Sequence, residues 1–252
     1  MGEGNSTRVR TNRLPWDSEF LGLEVYRVAA SAPDAAAVKT ALSSVAAAGG
    51  RLAYVTCAEA FEGPLDGPSG PVVLVDEKRT YARPLPAEAI ALAPLPDVPW
   101  VELAAPSAVS AADAVRLEEL AVAAGVHSRF RVDPSFPTER FEEMYRIWMR
   151  RSLAGELADA VLMIGATGAI DAMVTVQCQG DDAVIGLLAV DAAQRGRGLG
   201  SALVQAVLRW GCVRALHRAR VVTQGANREA CKLYEGSGYL CVDRLFYYHA
   251  WL

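Results

Sequence analysis

Residues 188–211, LAVDAAQRGRGLGSALVQAVLRWG, join an apolar strand-like run to a long apolar helix pattern through a glycine-rich turn. Three glycines and two arginines, Arg195 and Arg197, occupy the six residues of this turn. Such a turn presents unpaired backbone N–H groups with the positive end of the helix dipole behind them, and this arrangement binds phosphate. Glycine permits the close approach and the positive φ angles that the turn needs. The stretch therefore predicts an anion-binding turn between a strand and a helix.

Three phosphate-binding patterns compete for this turn. The Walker pattern requires a lysine, and the turn contains none. The dinucleotide pattern G-x-G-x-x-G can begin at Gly196, but Ser201 stands where its third glycine belongs. The third pattern, Q/R-x-x-G-x-G/A, is matched throughout by RGRGLG at 195–200.

The composition of the chain is that of an ordinary globular protein. Its 252 residues are 52% hydrophobic and 21% charged, with a formal net charge of −4, which suits one large domain or two small ones. There is no basic excess that would suggest nucleic acid and no acidic tail. We therefore expect no nucleic-acid or membrane partner, and leave a homodimer open.

Cysteines and apolar runs bear on the compartment. The five cysteines are odd in number and form no C-x-x-C pair, so neither structural disulfides nor a metal site is expected. No early apolar run resembles a signal peptide, and no uncharged stretch approaches the roughly 20 residues of a membrane span. These features favour a cytoplasmic protein.

The pattern of turns and apolar residues predicts a mixed α/β fold in two domains, 1–97 and 98–252, divided at the proline-rich passage 84–100. In the first domain we expect a helix over 31–50 and strands over 51–58 and 71–85. The second is predicted to contain, in order, a strand near 99–106, helices over 111–125 and 138–155, strands over 159–166, 169–179 and 181–191, the helix after the glycine turn, a strand over 218–225, a helix over 228–239 and a final strand.

Some local details are also predicted. Thr138 is expected to cap its helix, and Thr167-Gly168 to form a tight hairpin turn. The segment 126–137 is expected to be irregular, because it is polar and contains proline. In the helix after the glycine turn, the apolar face is predicted to consist of Leu203, Val207, Trp210 and Val213.

With these elements around it, the pattern at 195–200 resembles the pyrophosphate loop of the GCN5-related N-acetyltransferases (GNAT). The preceding strand AVIGLLAVD and the following helix SALVQAVLRWGCVRAL match the family's order, and VVTQGANREACKLYEGSGY supplies its next strand and helix. The resemblance covers about residues 98–252. It implies a GNAT acetyltransferase fold, preceded here by a smaller N-terminal α/β domain, with acetyl-CoA as co-substrate and no metal.

Shorter stretches resemble one subgroup, the dTDP-4-amino-4,6-dideoxygalactose (dTDP-fucosamine) N-acetyltransferases. These stretches are LPWDSEFLG, SRFRVDPSFP, IGLLAV and VVTQGAN followed by KLY. The subgroup also carries an extra N-terminal domain, which would open here with LPWDSEFLG. This resemblance implies that the acceptor is the amino group of a nucleotide-linked amino-deoxysugar.

The family resemblance also implies which residues form the site. The central strand would hydrogen-bond the pantetheine arm and hold the thioester oxygen, the loop would hold the pyrophosphate, and Tyr234 would act as general acid to the departing sulfur. The implied cofactor-binding residues are Leu188, Ala189, Val190, Arg195, Gly196, Arg197, Gly198, Leu199, Gly200, Ser201 and Asn227.

The acceptor side is less defined by the sequence. His127, His249, Asp17 and Glu19 are candidate general bases, and water is an alternative proton acceptor. Arg129 and Arg131 are predicted to bind the diphosphate of a nucleotide sugar through their bidentate guanidinium groups, with two solvated loop arginines as the alternative.

Other functions stay open at this point. The same domain would serve an aminoglycoside, a polyamine or a protein N-terminus as acceptor, and an acyl group larger than acetyl is compatible with the sequence. A non-catalytic acyl-CoA-binding module is the third reading, against which Tyr234, Asn227 and the loop glycines argue.

Overall fold

The computed structural model describes residues 8–85, 100–103 and 109–252. The passage in which we predicted the domain boundary falls largely outside the described residues, so the boundary at residue 97 stays a prediction.

The first part of the chain forms β1 (Val9–Arg13), α1 (Pro15–Leu21), β2 (Val25–Ala30), α2 (Ala35–Ala47), β3 (Leu52–Cys57), β4 (Leu65–Gly67) and β5 (Gly70–Pro84). Helix α1, which the sequence did not predict, begins at Pro15, where a missing N–H costs nothing, and ends at Gly22 with φ of 68°. Asp34 caps α2 by accepting the N–H of Ala37 at 2.9 Å. The predicted helix and the two predicted strands of this part are confirmed.

The second part forms β6 (Trp100–Leu103), α3 (Ala111–Ala124), α4 (Arg129–Val132), α5 (Thr138–Leu153), β7 (Ala160–Ala166), β8 (Ala169–Gln179), β9 (Asp182–Val190), a 3-10 turn (Ala192–Gln194), α6 (Leu199–Val213), β10 (Arg218–Gln224), α7 (Arg228–Gly236) and β11 (Leu240–Trp251). The hairpin between β7 and β8 turns at Gly168, which has φ of 83°. The N–H of Gly168 donates to Asp113 at 2.7 Å and so ties the hairpin to α3. The order of elements is the mixed α/β order that the sequence predicts.

Ten strands in the described part of the chain form one sheet in the order β1-β2-β3-β11-β5-β10-β9-β8-β7-β6, and β4 pairs with β5 outside this row. Neighbours are antiparallel except β2 with β3 and β10 with β9. Strand β5 lies between β10 and β11, and β11 lies between β5 and β3. The N-terminal part therefore shares one hydrogen-bonded sheet with the rest of the protein.

Helices cover both faces of this sheet. On one face, α6 buries Leu203 and Val207 against Val174. On the other face, α3 and α5 bury their apolar side chains against Met173, the neighbouring residue of β8. Successive side chains of a strand point to opposite faces, so a single strand contributes to both layers. Helix α2 packs on the end of the sheet formed by β2, β3 and β11.

Three local predictions are wrong. Pro137 is the N-cap of α5, so Thr138 is the first helical residue and makes no cap. Residues 129–132 form the short helix α4 where an irregular segment was expected, because Phe130 is buried among other aromatic side chains. Val213 is 82% exposed at the last turn of α6, whereas the other three predicted residues of that face are buried.

Candidate active site

Strand β9 carries a bulge at its centre. Between the paired positions 185 and 188, two residues of β9, Gly186 and Leu187, stand opposite one residue of β8, Thr175. The Thr175 hydroxyl accepts the N–H of Leu187 at 2.8 Å. A Cβ at position 186 would come within 2.8 Å of the same hydroxyl oxygen, so the bulge has room only for glycine there.

Beyond the bulge, β9 and β10 separate. The two strands pair in parallel over four positions that end at Ile185 and Val221. Strand β9 then continues to Val190 and β10 to Gln224 without further pairing between them. A gap therefore opens in the sheet on the β10 side of residues 186–190.

The backbone of β9 directs hydrogen-bond donors into this gap. The N–H of Asp191 donates to the carbonyl of Asp171 at 2.7 Å, and the N–H of Leu187 also points to the β8 side. Because successive N–H groups of a strand point to alternate sides, those of Leu188 and Val190 face the gap.

The glycine turn provides a second set of donors. Gly196 and Gly198 have φ of 76° and 80°, the left-handed conformation that favours glycine. Helix α6 begins directly after Gly198, and no side chain caps it. The N–H groups of Leu199, Gly200 and Ser201 therefore have no partner within the helix and lie at the positive end of its dipole.

A cavity of about 440 Å³ lies where the gap and the glycine turn meet. Residues of α3, α5, β9, β10 and α7 complete its wall. Among the predicted site residues, those that line it are Leu188, Ala189, Val190, Arg195, Gly196, Gly198, Leu199, Gly200, Ser201, Asn227 and Tyr234. The predicted residue Arg197 is not in the wall, since its guanidinium donates to the side chain of Gln194.

The start of the turn is held by a contact that the sequence did not reveal. Asp191 accepts the N–H of Ala193 at 2.8 Å and forms an ion pair with Arg116 of α3. The Arg116 guanidinium lowers the pKa of Asp191 and also donates to the carbonyl of Ile170 at 3.1 Å. The glycine turn is thus anchored through Arg116 to α3, on the other face of the sheet from α6.

Helix α7 brings Tyr234 and Asn227 to the cavity. Tyr234 is 4% exposed and packs between the rings of Tyr81 and Tyr239, with centroids at 6.0 and 5.8 Å. Burial raises the pKa of Tyr234, so the phenol keeps its proton and can donate. The side chain of Asn227 caps the helix by accepting the N–H of Ala230 at 3.1 Å.

The structure separates the two arginines that were predicted to bind a diphosphate together. The half-buried guanidinium of Arg129 lies against the rings of Phe130, Tyr247 and Tyr54, with its carbon 4.1, 4.8 and 5.0 Å from their centroids. Arg131 is exposed and donates to the hydroxyl of Thr138 at 3.3 Å. Neither residue lines the cavity, although α4 begins next to its wall.

The four candidate bases lie in different surroundings. His127 lines the cavity and is exposed, and Glu19 is exposed on α1. Asp17 is half-buried, and burial raises its pKa. His249 is 1% exposed, and its Nδ1 lies 2.6 Å from a carboxylate oxygen of Asp133.

The contact between His249 and Asp133 was not anticipated from the sequence. Burial alone would raise the pKa of Asp133, but hydrogen bonds from His249, from Trp251 at 2.9 Å and from the N–H of Ser135 lower it. Burial lowers the pKa of His249, so the ring is neutral with its proton on Nδ1 facing Asp133. Its Nε2 is buried and has no hydrogen-bond partner in the described part of the chain.

Comparison with known proteins identifies the domain around the cavity. Residues 121–239 match the model of the acetyltransferase (GNAT) family. The match covers a little under half of the chain, and this segment is similar to the GNAT acetyltransferases, whose co-substrate is acetyl-CoA.

Solved structures agree on the fold. A functionally unknown conserved protein from Staphylococcus epidermidis has a TM-score of 0.60 at 12% identity, covering 90% of this chain and 83% of its own. A tandem GNAT protein of the clavulanic acid biosynthesis pathway has a TM-score of 0.55 at 16% identity, covering 91% and 76%. A GCN5-related N-acetyltransferase from Sphaerobacter thermophilus has the same TM-score and identity, covering 96% and 76%. No curated protein matches the sequence.

These matches confirm the predicted GNAT fold with an extra N-terminal α/β part, since the tandem protein matches nearly the whole chain. Within the described residues, no three His, Cys, Asp or Glu side chains are grouped closely enough to hold a metal ion. None of the helices in the described ranges is long and apolar enough to cross a membrane.

Proposed function

We propose that the protein acetylates the amino group of a small acceptor by direct attack on acetyl-CoA bound in the cavity. The observation that carries this proposal is the meeting, in one cavity, of the open edge of β9, the uncapped start of α6 and Tyr234. In the reaction the amine nitrogen attacks the thioester carbonyl carbon, the C–S bond breaks, and the products are an amide and the free thiol of coenzyme A. The nitrogen releases its proton and the sulfur gains one.

The backbone of β9 is suited to the donor half of this reaction. The N–H groups of Leu188 and Val190 face the gap and are held in place by the bulge at Thr175. A preorganised backbone donor that meets the developing oxyanion is typically worth about 2.7–4 kcal/mol of transition-state stabilisation. The free N–H groups at the start of α6 would hold the pyrophosphate, with Arg195 adding positive charge.

Tyr234 is proposed to donate a hydrogen bond to the departing thiolate. A free phenol has a pKa of about 10 and a thiol about 8.5, so full proton transfer to sulfur is already uphill by about 2 kcal/mol. Burial raises the pKa of Tyr234 further. This favours a phenol that stabilises the thiolate by a hydrogen bond, while the proton that the sulfur gains comes from the positively charged nitrogen formed when the amine attacks.

The acceptor that we propose first is the amino group of a dTDP-linked amino-deoxysugar, as the subgroup resemblance implies. The half-buried guanidinium of Arg129, two residues along the chain from His127 of the cavity wall, supports an anionic acceptor. Arg131 gives this proposal no support, since it is exposed and bonded to Thr138.

A second acceptor class is a small cationic amine such as an aminoglycoside or polyamine. The carboxyl groups of Asp17 and Asp76 are half-buried near Arg129, and buried carboxylates attract ammonium groups. A protein N-terminus as acceptor and a larger acyl group remain alternatives to be tested alongside. A non-catalytic acyl-CoA-binding module is the reading that turnover would exclude.

The deciding experiment measures thiol release from acetyl-CoA with a panel of dTDP- and UDP-amino sugars, aminoglycosides, polyamines and a short peptide. We expect turnover with at least one amine and none with the matching N-acetylated compound. Calorimetry with acetyl-CoA alone provides the binding control. A protein that binds acetyl-CoA but releases no thiol with any amine would be a binding module, and one that does not bind it would refute the proposal.

A further inference from the structure

A second group of polar side chains lies next to the acetyl-CoA cavity, between α4 and the face of strands β3, β11 and β5. We call it the α4 chamber, and its residues are Tyr54, Asp76, Ser128, Arg129, Tyr247 and His249. The rings of Tyr54 and His249 are 4.8 Å apart, and the Arg129 guanidinium lies over both Tyr54 and Tyr247. Tyr247 is the Cα partner of Asp76 on β5. The six residues are therefore contiguous, although they come from four separate segments.

The Arg129 guanidinium of the chamber forms no close ion pair with a described residue, and the carboxyl groups of Asp17 and Asp76 act on it only at longer range. Among the described residues, no carboxylate lies within 4.0 Å of the Arg129 guanidinium, and its Nε is buried without a hydrogen-bond partner. Most other half-buried or surface arginines of the two helices α3 and α5 have a carboxylate partner, such as Arg116 with Asp191 and Arg150 with Glu118. Aromatic rings stabilise the Arg129 cation but leave its donors unused. A guanidinium held in this way is prepared to bind an anionic group.

The Asp76 carboxyl group of the chamber also forms no close ion pair within the described part of the chain, and Arg129 and Lys78 act on it only at longer range. Asp76 is half-buried and has neither a hydrogen bond nor an ion pair with any residue in the described ranges. Burial raises its pKa to about 7, while Arg129 and Lys78 oppose the shift and Glu77 adds to it. A carboxylate in this position gains from a positively charged ligand, because such a ligand offsets the cost of its burial.

Three further polar atoms in the chamber are buried without a well-formed hydrogen bond to a described residue: Tyr54 Oη, Ser128 Oγ and His249 Nε2. Their residues are 0%, 4% and 1% exposed. Asp17 faces the Tyr54 hydroxyl and Tyr145 faces the Ser128 hydroxyl, both in poor hydrogen-bond geometry. With the His249 proton on Nδ1, its Nε2 can only accept a hydrogen bond, whereas the two hydroxyls can donate or accept. A buried polar atom without a partner costs about 1–3 kcal/mol, so a polar ligand that bonded to these atoms would offset that cost.

Two chain connections place the chamber at the acceptor side of the cavity. His127 lines the cavity and is followed directly by Ser128 and Arg129 of the chamber. Gln224 also lines the cavity, and its Cα partner on β5 is Lys78, two residues from Asp76. Strand β10 ends at Gln224, so Asp76 lies where the sheet opens beyond it.

We infer that the α4 chamber binds the acceptor as a zwitterion, with the anionic group of the acceptor on Arg129 and its ammonium group beside Asp76. The inference rests on the proposed function and adds to it the charge pattern of the substrate. The anionic group is a carboxylate or a phosphate, both of which match the guanidinium fork. A neutral amine or a diamine would leave Arg129 unpaired or repelled, and a ligand without an amine would leave Asp76 unpaired.

The test uses four probes of similar length: 4-aminobutyrate, 3-aminopropylphosphonate, butylamine and putrescine. Their binding to the full chain saturated with coenzyme A is measured by calorimetry, and their KM by thiol release from acetyl-CoA. We expect at least one zwitterion to bind about tenfold more tightly than both butylamine and putrescine. The phosphonate and carboxylate probes distinguish the two kinds of anion. Equal or tighter binding of butylamine or putrescine would overturn the inference, whatever the rates.

Variants assign the effect to the chamber. Arg129→Met is expected to abolish the preference for the zwitterions, and Asp76→Asn to weaken them at least several-fold, while acetyl-CoA affinity stays unchanged in both. Arg140→Met is the matched control, because Arg140 is exposed on α5 and also lies over an aromatic ring, that of Phe20, at 5.6 Å. Arg129→Lys, which keeps the charge, covers the case in which Arg129→Met does not fold.

The outcomes separate this inference from the proposed function. A preference for zwitterions that survives in both folded chamber variants would overturn the inference alone. Thiol release with amines of any charge, without a preference, would do the same and leave acetyl transfer intact. Loss of acetyl-CoA binding in the wild-type protein would instead refute the proposed function.

Discussion

The two ends of the site are built from different parts of the protein. The end that we propose for acetyl-CoA offers mainly backbone donors, from β9 after its bulge and from the first turn of α6, within residues 186–201. The α4 chamber uses side chains from β3, β5, α4 and β11, which are spread from Tyr54 to His249. Backbone N–H groups stay in place when side chains are substituted, whereas a site built from side chains changes with each substitution. The donor end therefore suits a common co-substrate, and the acceptor end suits a specific substrate.

The largest effect is expected at Tyr234, and it tests whether the acetyl-CoA end of the site needs a side chain as well as backbone donors. Tyr234→Phe should lower kcat and kcat/KM by similar factors of about 100 or more, because its hydroxyl acts only on the thiolate that forms in the transition state. The KM for acetyl-CoA should change little, and steady-state kinetics measure both constants. Tyr239→Phe is the matched control, since its buried hydroxyl has no partner in the described residues and lies outside the cavity wall. A Tyr234→Phe enzyme with wild-type kcat would make Tyr234 a packing residue.

The next effect tests the backbone donors of the turn. Gly198→Asp should weaken acetyl-CoA binding about tenfold or more, because it places a negative charge where the pyrophosphate would lie. Gly198→Asn is the control, since Asn tolerates the same positive φ without the charge. Calorimetry on both variants measures the difference. Equal affinity of the two variants would remove the turn from the pyrophosphate site.

A smaller effect is expected at the bulge that opens the gap. Thr175→Val removes the acceptor of the Leu187 N–H and should lower the free energy of unfolding by about 1–3 kcal/mol, together with acetyl-CoA affinity. Thr175→Ser keeps the hydroxyl and should retain most of both. Urea unfolding and calorimetry provide the measurements. If valine and serine behave alike, the hydroxyl does not hold the bulge.

The smallest effect concerns the chamber and depends on pH. Asp76 has its pKa raised by burial to about 7 in the folded protein, above the value of an unfolded chain. Folding therefore favours its protonated form, and the stability that this form contributes is lost as the pH rises through about 7. Asp76→Asn mimics the protonated form and should be more stable than wild type at pH 8, by on the order of 1 kcal/mol for this half-exposed group.

Thermal melts at pH 4.5 and pH 8 test this prediction. The variant should gain about 2–4 °C over wild type at pH 8 and less at pH 4.5. Asp66→Asn on β4 is the control, because Asp66 is exposed. The same gain at both pH values would mean that the charge of Asp76 is not buried in the folded protein.

Most of the secondary structure follows from local patterns. Asp34, Gly168 and the turn after β9 all lie where turn and cap chemistry places them. The errors arise where packing overrides the local pattern. Phe130 packs in an aromatic cluster within the short helix α4. Val213 follows the period of α6 but is exposed at the last residue of that helix. Residues of the same type therefore differ in burial and secondary structure, because tertiary packing decides both and a short stretch of sequence does not.

The sequence alone determined the glycine turn with its strand and helix, which forms the proposed acetyl-CoA end of the site. The glycines and arginines of the turn, the strand before it and the helix after it are contiguous, and backbone donors need only the right φ angles and a helix start, which local sequence encodes.

Only the tertiary structure decided the acceptor end. It separated Arg129 from Arg131, paired His249 with Asp133 across 116 residues, and set Asp76 beside the gap. The contact of His249 with Asp133 depends on the packing of α4 against β11, and the position of Asp76 depends on the pairing of β5 with β10 and β11. The energy that fixes them comes from burial and pairing across the sheet, and no local pattern of residues specifies such contacts.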